Sequence, residues 1–512
     1  MNIKELVIPI SFAFLSVFAL NYFFSGNTSK DAVESSFVVP REKKAYKPLN
    51  VEVDFYDQKR VEPSQVTICD TEWANLLFST DGASLESIDF KRELNGQQTT
   101  IRTIFPVIDT ERSEKCFLVA LDNATPFYYT LVSSENNENA YELIYVAGND
   151  ECVIQKRFVI DKHKPKIDLS LEVAPKNENY NAIESRIFFP APFVPDLKEI
   201  DIISSILIDQ ADTFAKTNVN SLDIHRGWFT PTMFGIDNRY FIHALIQDSN
   251  HFAQRAYYKL EERTRLFSVL EGPVVTEKTS WTLSFYFGPK ELNALAAVDA
   301  RLEKTLDYSG ILSFLAKLML YLLNWLYKYL HNYGLAIIAL TFLIQLLLLP
   351  VSLRNNEEKW KKQQMEYQRQ LAYIEQRFKD KPEQLLAERT ELIRKNGLPG
   401  FGCLLPLLLQ LPIFFALSRV LSSSFELYQA PMLWIPDLSS KDPLYILPVL
   451  VTITMLMQDI NGDSQQKMSK IVMAFVFGAV TSSFSAGLTL YICLGRLFSF
   501  VQAKLMRYFK LV

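Results

Sequence analysis

From Asn332 to Leu353 the chain reads NYGLAIIALTFLIQLLLLPVSL. About twenty consecutive, mainly apolar residues suffice to carry a helix across the ~30 Å hydrocarbon core of a bilayer. Few folds in water accommodate such a run, and it is not alone. From about residue 310 to the end, apolar runs alternate with short polar loops, whereas residues from about 50 to 300 have the composition of an ordinary soluble domain. Near the middle of the run sits a primary amide, Gln345. Polar groups at such depth are expensive and call for a reason.

The first segment repeats the theme. Leu6 to Phe24 is almost wholly apolar and follows Lys4. It exceeds the core of a secretory signal, roughly 7–15 residues, and no A-x-A cleavage pattern follows. An uncleaved anchor over residues 1–25 is favoured over a signal peptide, and with either one the chain beyond is exported. Residues 26–50 are polar and proline-containing and read as a linker. The net charge of -4 gives no hint of nucleic-acid recognition, and the five cysteines show neither CxxC spacing nor a histidine cluster beside them. No metal or other cofactor is expected.

Between residues 51 and 306 short runs alternate with turn residues: VEVDFYD (51–57), ANLLFST (74–80), FYYTLVSS (127–134), YELIYVAG (141–148), KIDLSLEVAP (166–175) and SWTLSFYFGP (280–289). Period-two alternation and β-branched or aromatic enrichment predict strands, and their regular spacing predicts a large β-sandwich. KELNALAAVDARLEKTL (290–306) reads as one helix after it. The histidines are scattered and no catalytic constellation stands out, so a binding or scaffolding module is expected rather than an enzyme.

ILSFLAKLMLYLLNWLYKYLH (311–331) has two readings, a spanning helix or an interfacial one. Ser313, Lys317, Asn324, Lys328 and His331 share one helical face, as in a helix lying in the interface. Charge decides between them. The loop over 354–397 is rich in Lys and Arg and belongs in the cytoplasm. One crossing must separate it from the exported domain, so 332–353 spans and 307–331 lies in the interface. The loop itself reads as two solvated helices broken at DKP (380–382), either a spacer or a docking site for ribosome or nascent chain. Further spans follow at 404–424, 445–457, 471–484 and 487–502, giving six crossings with both ends inside.

The motifs FGPKELNALAAVDARLEKTLDYSG (287–310), NYGLAIIALTFLI (332–344), PLLLQLPIFFAL (406–417), ELYQAPMLWIPDLSSKDPLYILP (426–448) and FSAGLTLY (484–491) occur in this order. Through them the chain resembles the YidC/Oxa1/Alb3 insertases, specifically the Gram-negative YidC form, over nearly its whole length. The resemblance implies an α+β membrane protein of the bacterial inner membrane. Its expected parts are an N-terminal transmembrane anchor, an exported β-supersandwich, and a five-helix core over 332–512 with a cytoplasmic helical hairpin. It implies an insertase and chaperone for nascent membrane proteins. The work would be done in a hydrophilic groove open to cytoplasm and lipid, with the Sec translocon and ribosomes as partners. A polytopic transporter or channel is the alternative, weakened by the absence of membrane acids and of an internal repeat.

One departure stands out. The family carries a groove arginine where this chain has Gln345. A groove-facing amide is one reading and a hydrogen bond to a neighbouring helix is the other. Two arginines lie inside other apolar runs. Arg419 is near the outer end of its run, while Arg496 lies roughly 14 Å inward from Gly487, against roughly 16 Å for Gln345 from Gly334. Arg496 either replaces the missing cation or holds the bundle together. Thr341, one turn before Gln345, and Gln410 and Tyr491 are further groove or bundle candidates.

Overall fold

The computed structural model describes residues 64–104, 115–121, 128–148, 152–176, 185–193, 203–223, 226–261, 265–306, 313–354, 357–378, 382–396, 401–457 and 464–508. The expected anchor, the linker and the strand over 51–57 lie outside them. The chain divides into two compact units between Asp307 and Tyr308.

The described residues of the first unit form three antiparallel sheets. A four-stranded sheet runs β1 (Val66–Asp70), β2 (Ala74–Ser79), β3 (Ser84–Leu94), β4 (Gln97–Ile104). A five-stranded sheet has the order β13 (Gly227–Phe229), β16 (Arg255–Glu261), β17 (Arg265–Glu271), β10 (Ser185–Pro190), β5 (Leu118–Leu121). In the nine-stranded sheet β12 (Phe214–Asn218), β11 (Ser204–Ile208), β14 (Met233–Asp237) and β15 (Phe241–Asp248) lead to β18 (Thr279–Pro289). That sheet continues through β9 (Lys166–Pro175), β8 (Cys152–Asp161), β7 (Ala140–Gly148) and β6 (Thr130–Asn136).

Alternation sets which residues face inward. On β9 these are Ile167, Leu169, Leu171 and Val173, and on β8 Ile154, Lys156, Phe158 and Ile160, all buried. Aromatic rings knit the sheets: Phe117 lies 5.5 Å from Phe158 and 5.0 Å from Phe285. Cys69, Cys116 and Cys152 are buried and unbridged. Burial pushes the Cys69 thiol up to about 12, which leaves it unreactive.

The single helix expected over 290–306 is two. α1 (Leu292–Val298) stops at Asp299, whose extended backbone (φ -154) interrupts it. The Asp299 side chain then caps a 3-10 turn, Ala300–Thr305, by accepting from the Arg301 amide. Aspartate is a poor interior helix residue and a strong cap, so the break falls there.

The second unit is helical: α2 (Ser313–Leu330), α3 (Tyr333–Arg354), α4 (Glu357–Arg377), α5 (Pro382–Asn396), α6 (Phe401–Ser423), α7 (Ile446–Leu456), α8 (Ser464–Thr481) and α9 (Ala486–Tyr508). Among the described residues no helix is long and apolar enough to cross a membrane. Between the spans expected at 445–457 and 471–484 the chain is polar, yet Ser464 to Lys470 form the first turns of α8. Gln, Lys and Met are good helix formers, so hydropathy understates the helix. α4 and α5 pack as a pair, with Arg389 bonded to Glu375 across it.

Candidate functional site

The site lies where α9 packs against α3 and α6, and α8 reaches it through the Phe477 ring. α3 starts cleanly because the Asn332 side chain accepts from the Leu335 amide at 3.1 Å. Two turns on, Thr341 is buried and returns its hydroxyl to the Ile337 carbonyl at 2.7 Å. Gln345 follows one turn later on the same face, half-buried. Gly334, at the start of α3, has no room for a side chain, since a Cβ there would sit 2.1 Å from the Met432 sulfur. The segment between α6 and α7 thus grips α3 at this end.

The same segment fixes α9. Its first amides, which have no partner within the helix, donate to loop carbonyls: Ala486 to Ser440 at 2.6 Å and Gly487 to Leu438 at 2.8 Å. Two aspartates hold the loop. Asp437 accepts from the amides of Gln429 and Ser439, and Asp442 from the Trp434 indole and from the Leu444 and Leu447 amides. With its start pinned, the rotation of α9 is set and so is the direction of each side chain.

Tyr491 and Gly495, one turn apart, share a face of α9. The Gln410 amide on α6 donates to the Tyr491 hydroxyl at 2.5 Å. At Gly495 a Cβ would stand 3.1 Å from Nε2 of Gln345. The amide on α3 therefore lies against the α9 backbone, one residue from Arg496. Arg496 is rotated by about a third of a turn from Gly495, and its guanidinium lies 5.6 Å over the Phe477 ring of α8. Among the described residues it makes no hydrogen bond or ion pair.

Arg419 stands elsewhere, roughly 13 Å further along α6 from Gln410. It is half-buried, and its carbonyl accepts from the Ser423 hydroxyl at 2.6 Å. Thus Gln345, Gln410, Tyr491 and Arg496 are linked through α9, Thr341 is in the helix interior, and Arg419 occupies another level. Sequence reasoning missed Gly495 and Phe477. A glycine inside an apolar helix was a usable signal, but nothing marks Phe477 among its apolar neighbours.

No group of three or more His, Cys, Asp or Glu able to hold a metal occurs among the described residues. The arrangement offers amides, a phenol and one cation in a largely apolar bundle, which suits reversible polar contact rather than bond-making.

Comparison with known proteins bears on what such a bundle serves. Residues 69–322 match the family described as "YidC periplasmic domain", and residues 325–511 match "60Kd inner membrane protein". The "Membrane protein insertase YidC" of Syntrophobacter fumaroxidans is 31% identical over 382 residues, 68% of this chain and 67% of that protein. Its counterpart from Geotalea uraniireducens is 26% identical over 540 residues, covering 98% of each. A solved structure described as "Active YidC insertase crystal structure with the first transmembrane domain resolved" covers 88% of this chain and 96% of its own, at 15% identity and a TM-score of 0.33. Similarity that distant adds nothing to the argument. The sequence matches define an inner-membrane protein with a periplasmic β domain, devoted to inserting other proteins into the membrane. The chain belongs to the YidC/Oxa1/Alb3 family of membrane protein insertases, and nascent membrane proteins are its substrates.

Proposed function

We propose that insertion proceeds through a polar recess in the helical unit, where Gln345 and Arg496 meet the hydrophilic parts of incoming chains. Thr341, Gln410 and Tyr491 belong to its walls, whereas Arg419 stands at another level, roughly 13 Å further along α6. The observation that carries this reading is the state of Arg496. A guanidinium has five N–H donors, and among the described residues this one meets an aromatic ring and no acceptor. Even insertion scales charge about 2.5–3.5 kcal/mol for an arginine at mid-membrane. Water or a substrate carboxylate must therefore supply what the bundle does not. In this reading Arg496 supplies the cation that the family resemblance leads one to expect where this chain has Gln345.

In this reading the crossings follow the apolar runs of the sequence, 332–353, 404–424, 445–457, 471–484 and 487–502, rather than the length of any described helix, with both chain ends and the α4–α5 hairpin (354–397) in the cytoplasm. α3 turns Leu335, Phe342, Leu343, Leu346 and Leu347 outward. α7, with 11 residues, rises only about 16 Å, so the bilayer thins beside it. α2 packs on α3 and α6 through Ala316, Met319, Leu320 and Leu323, while Phe314, Tyr321, Trp325 and Tyr329 face outward, as suits a helix seated among headgroups. The segmentation is then an anchor (1–25), linker (26–50), exported domain (51–306), interfacial segment (307–331) and core (332–512). The exposed hairpin offers a surface to ribosomes, and the lipid-facing core a surface to the Sec translocon.

The test is insertion of a single-span substrate into proteoliposomes, scored by protease protection. Loss of insertion in Arg496→Ala and recovery in Gln345→Arg/Arg496→Ala is the expected result. Full activity of Arg496→Ala would exclude a role for this cation.

A further inference from the structure

Arg496 reaches Phe477 across a gap between two helices. α8 and α9 each pack against α7, and the Arg496–Phe477 contact closes the third side of that triangle. The two residues lie at different levels. Phe477 is one turn before the end of α8 at Thr481, roughly 6 Å along its axis, while Arg496 is roughly 15 Å from the start of α9 at Ala486. The two helix ends are tied together, since the Thr489 hydroxyl on α9 donates to the Thr481 carbonyl at 3.2 Å. The guanidinium is thus drawn along α9 toward the α8–α9 turn, the direction in which helical side chains lean. A long cation inside an apolar bundle otherwise extends toward the nearest water. Here an aromatic face, attractive to cations through its quadrupole, holds it instead.

Resting on the role proposed for Arg496, we infer that Phe477 is the positioning residue for the recess cation. Its ring keeps the guanidinium deep, near the α8–α9 turn, so that a carboxylate on an entering segment meets the charge inside the recess and not at its mouth. The ring competes only weakly with a carboxylate, which lets Arg496 pass from one to the other without a bond of its own to break. The substrates that depend on Phe477 are accordingly those whose translocated segment carries an Asp or Glu.

The experiment uses full-length protein in proteoliposomes and two single-span probes that differ by one Asp or Asn in the translocated segment. Arg496→Gln is expected to lower insertion of the Asp probe several-fold more than that of the Asn probe. Phe477→Leu should show the same selective loss, Phe477→Trp should keep selectivity, and Phe477→Leu/Arg496→Gln should be no worse than Arg496→Gln alone. Phe477→Met repeats the test if Phe477→Leu accumulates poorly. Equal loss on both probes in Phe477→Leu, or losses that add in the double variant, would reduce Phe477 to packing and overturn the inference. A selective Arg496→Gln beside an unselective Phe477→Leu would overturn it while leaving the recess intact. An unselective Arg496→Gln would overturn the role of Arg496 itself.

Discussion

Lys156 in the β unit and Arg496 in the helical unit are both long cations on interior positions, and they are held in opposite ways. Lys156 is 0% exposed, and its ammonium donates to the carbonyls of Gly82 at 2.5 Å, Phe117 at 2.7 Å and Ala83 at 3.4 Å. The Tyr129 ring covers it at 4.8 Å. Three donors meet three acceptors, and each acceptor belongs to a residue with positive φ: 67, 66 and 41° respectively. For Ala83 and Phe117 that conformation is strained, so Lys156 braces turns that resist their own geometry. Arg496 meets one ring and, among the described residues, no acceptor. A saturated cation serves the fold, whereas an unsaturated one is available to a passing chain.

The largest effect should come from removing the saturated partner. Lys156→Met keeps the volume but strands buried carbonyls, and we expect a loss of about 3 kcal/mol in stability. Denaturant unfolding of the detergent-solubilised protein checks it. An unchanged midpoint would mean that the carbonyls find other donors and would erase the contrast with Arg496.

Acid should come next. His243 is fully buried, stacked 4.3 Å from Phe287, with Nδ1 at 2.9 Å from the Pro190 carbonyl. Burial lowers its pKa from 6.5 to about 3, despite the Pro190 hydrogen bond. Between those values the unfolded chain binds the proton that the folded one refuses. Stability is therefore complete above pH 6.5 and falls as pH drops through the window, by about 2 kcal/mol at pH 5. His243→Phe should flatten the unfolding profile between pH 7 and 5; an undiminished slope would place the acid sensitivity elsewhere.

Smaller effects belong to the helical unit. Tyr491→Phe leaves the Gln410 amide without the phenol and should cost about 1 kcal/mol in thermal unfolding. A much larger loss would mean that this pair is bundle glue as binding as the Lys156 cage. Gly495→Ala should change stability least, by less than about 1 kcal/mol, while pushing the Gln345 amide aside by a few tenths of an ångström. If insertion of acid-bearing substrates then drops without any change in stability, the packing at Gly495 is what keeps amide and cation adjacent.

Where one local period governs a segment, the sequence is legible. KIDLSLEVAP alternates as a strand over 166–175, and β9 spans those residues. Asp299 was less legible, because capping strength competes with helix periodicity and only the tertiary setting decides between them. Ser464 to Lys470 are helical despite their polarity, which by itself does not tell a helix from a loop. Lys156 gave no sign at all. In its strand it occupies an inward position between Ile154 and Phe158, and the three carbonyls that accept from it lie 39 to 74 residues away.

By itself the sequence determined the division into a β unit and an apolar helical unit and the order of the elements. Those follow from composition and from periods of two and 3.6 residues, which depend on near neighbours. Only the tertiary structure decided that Gln345 rests against Gly495, that Gln410 meets Tyr491, and that Arg496 leans on Phe477. Such pairings join residues up to 150 positions apart, and they exist because the loop between α6 and α7 pins the start of α9 and so fixes where each of its side chains points.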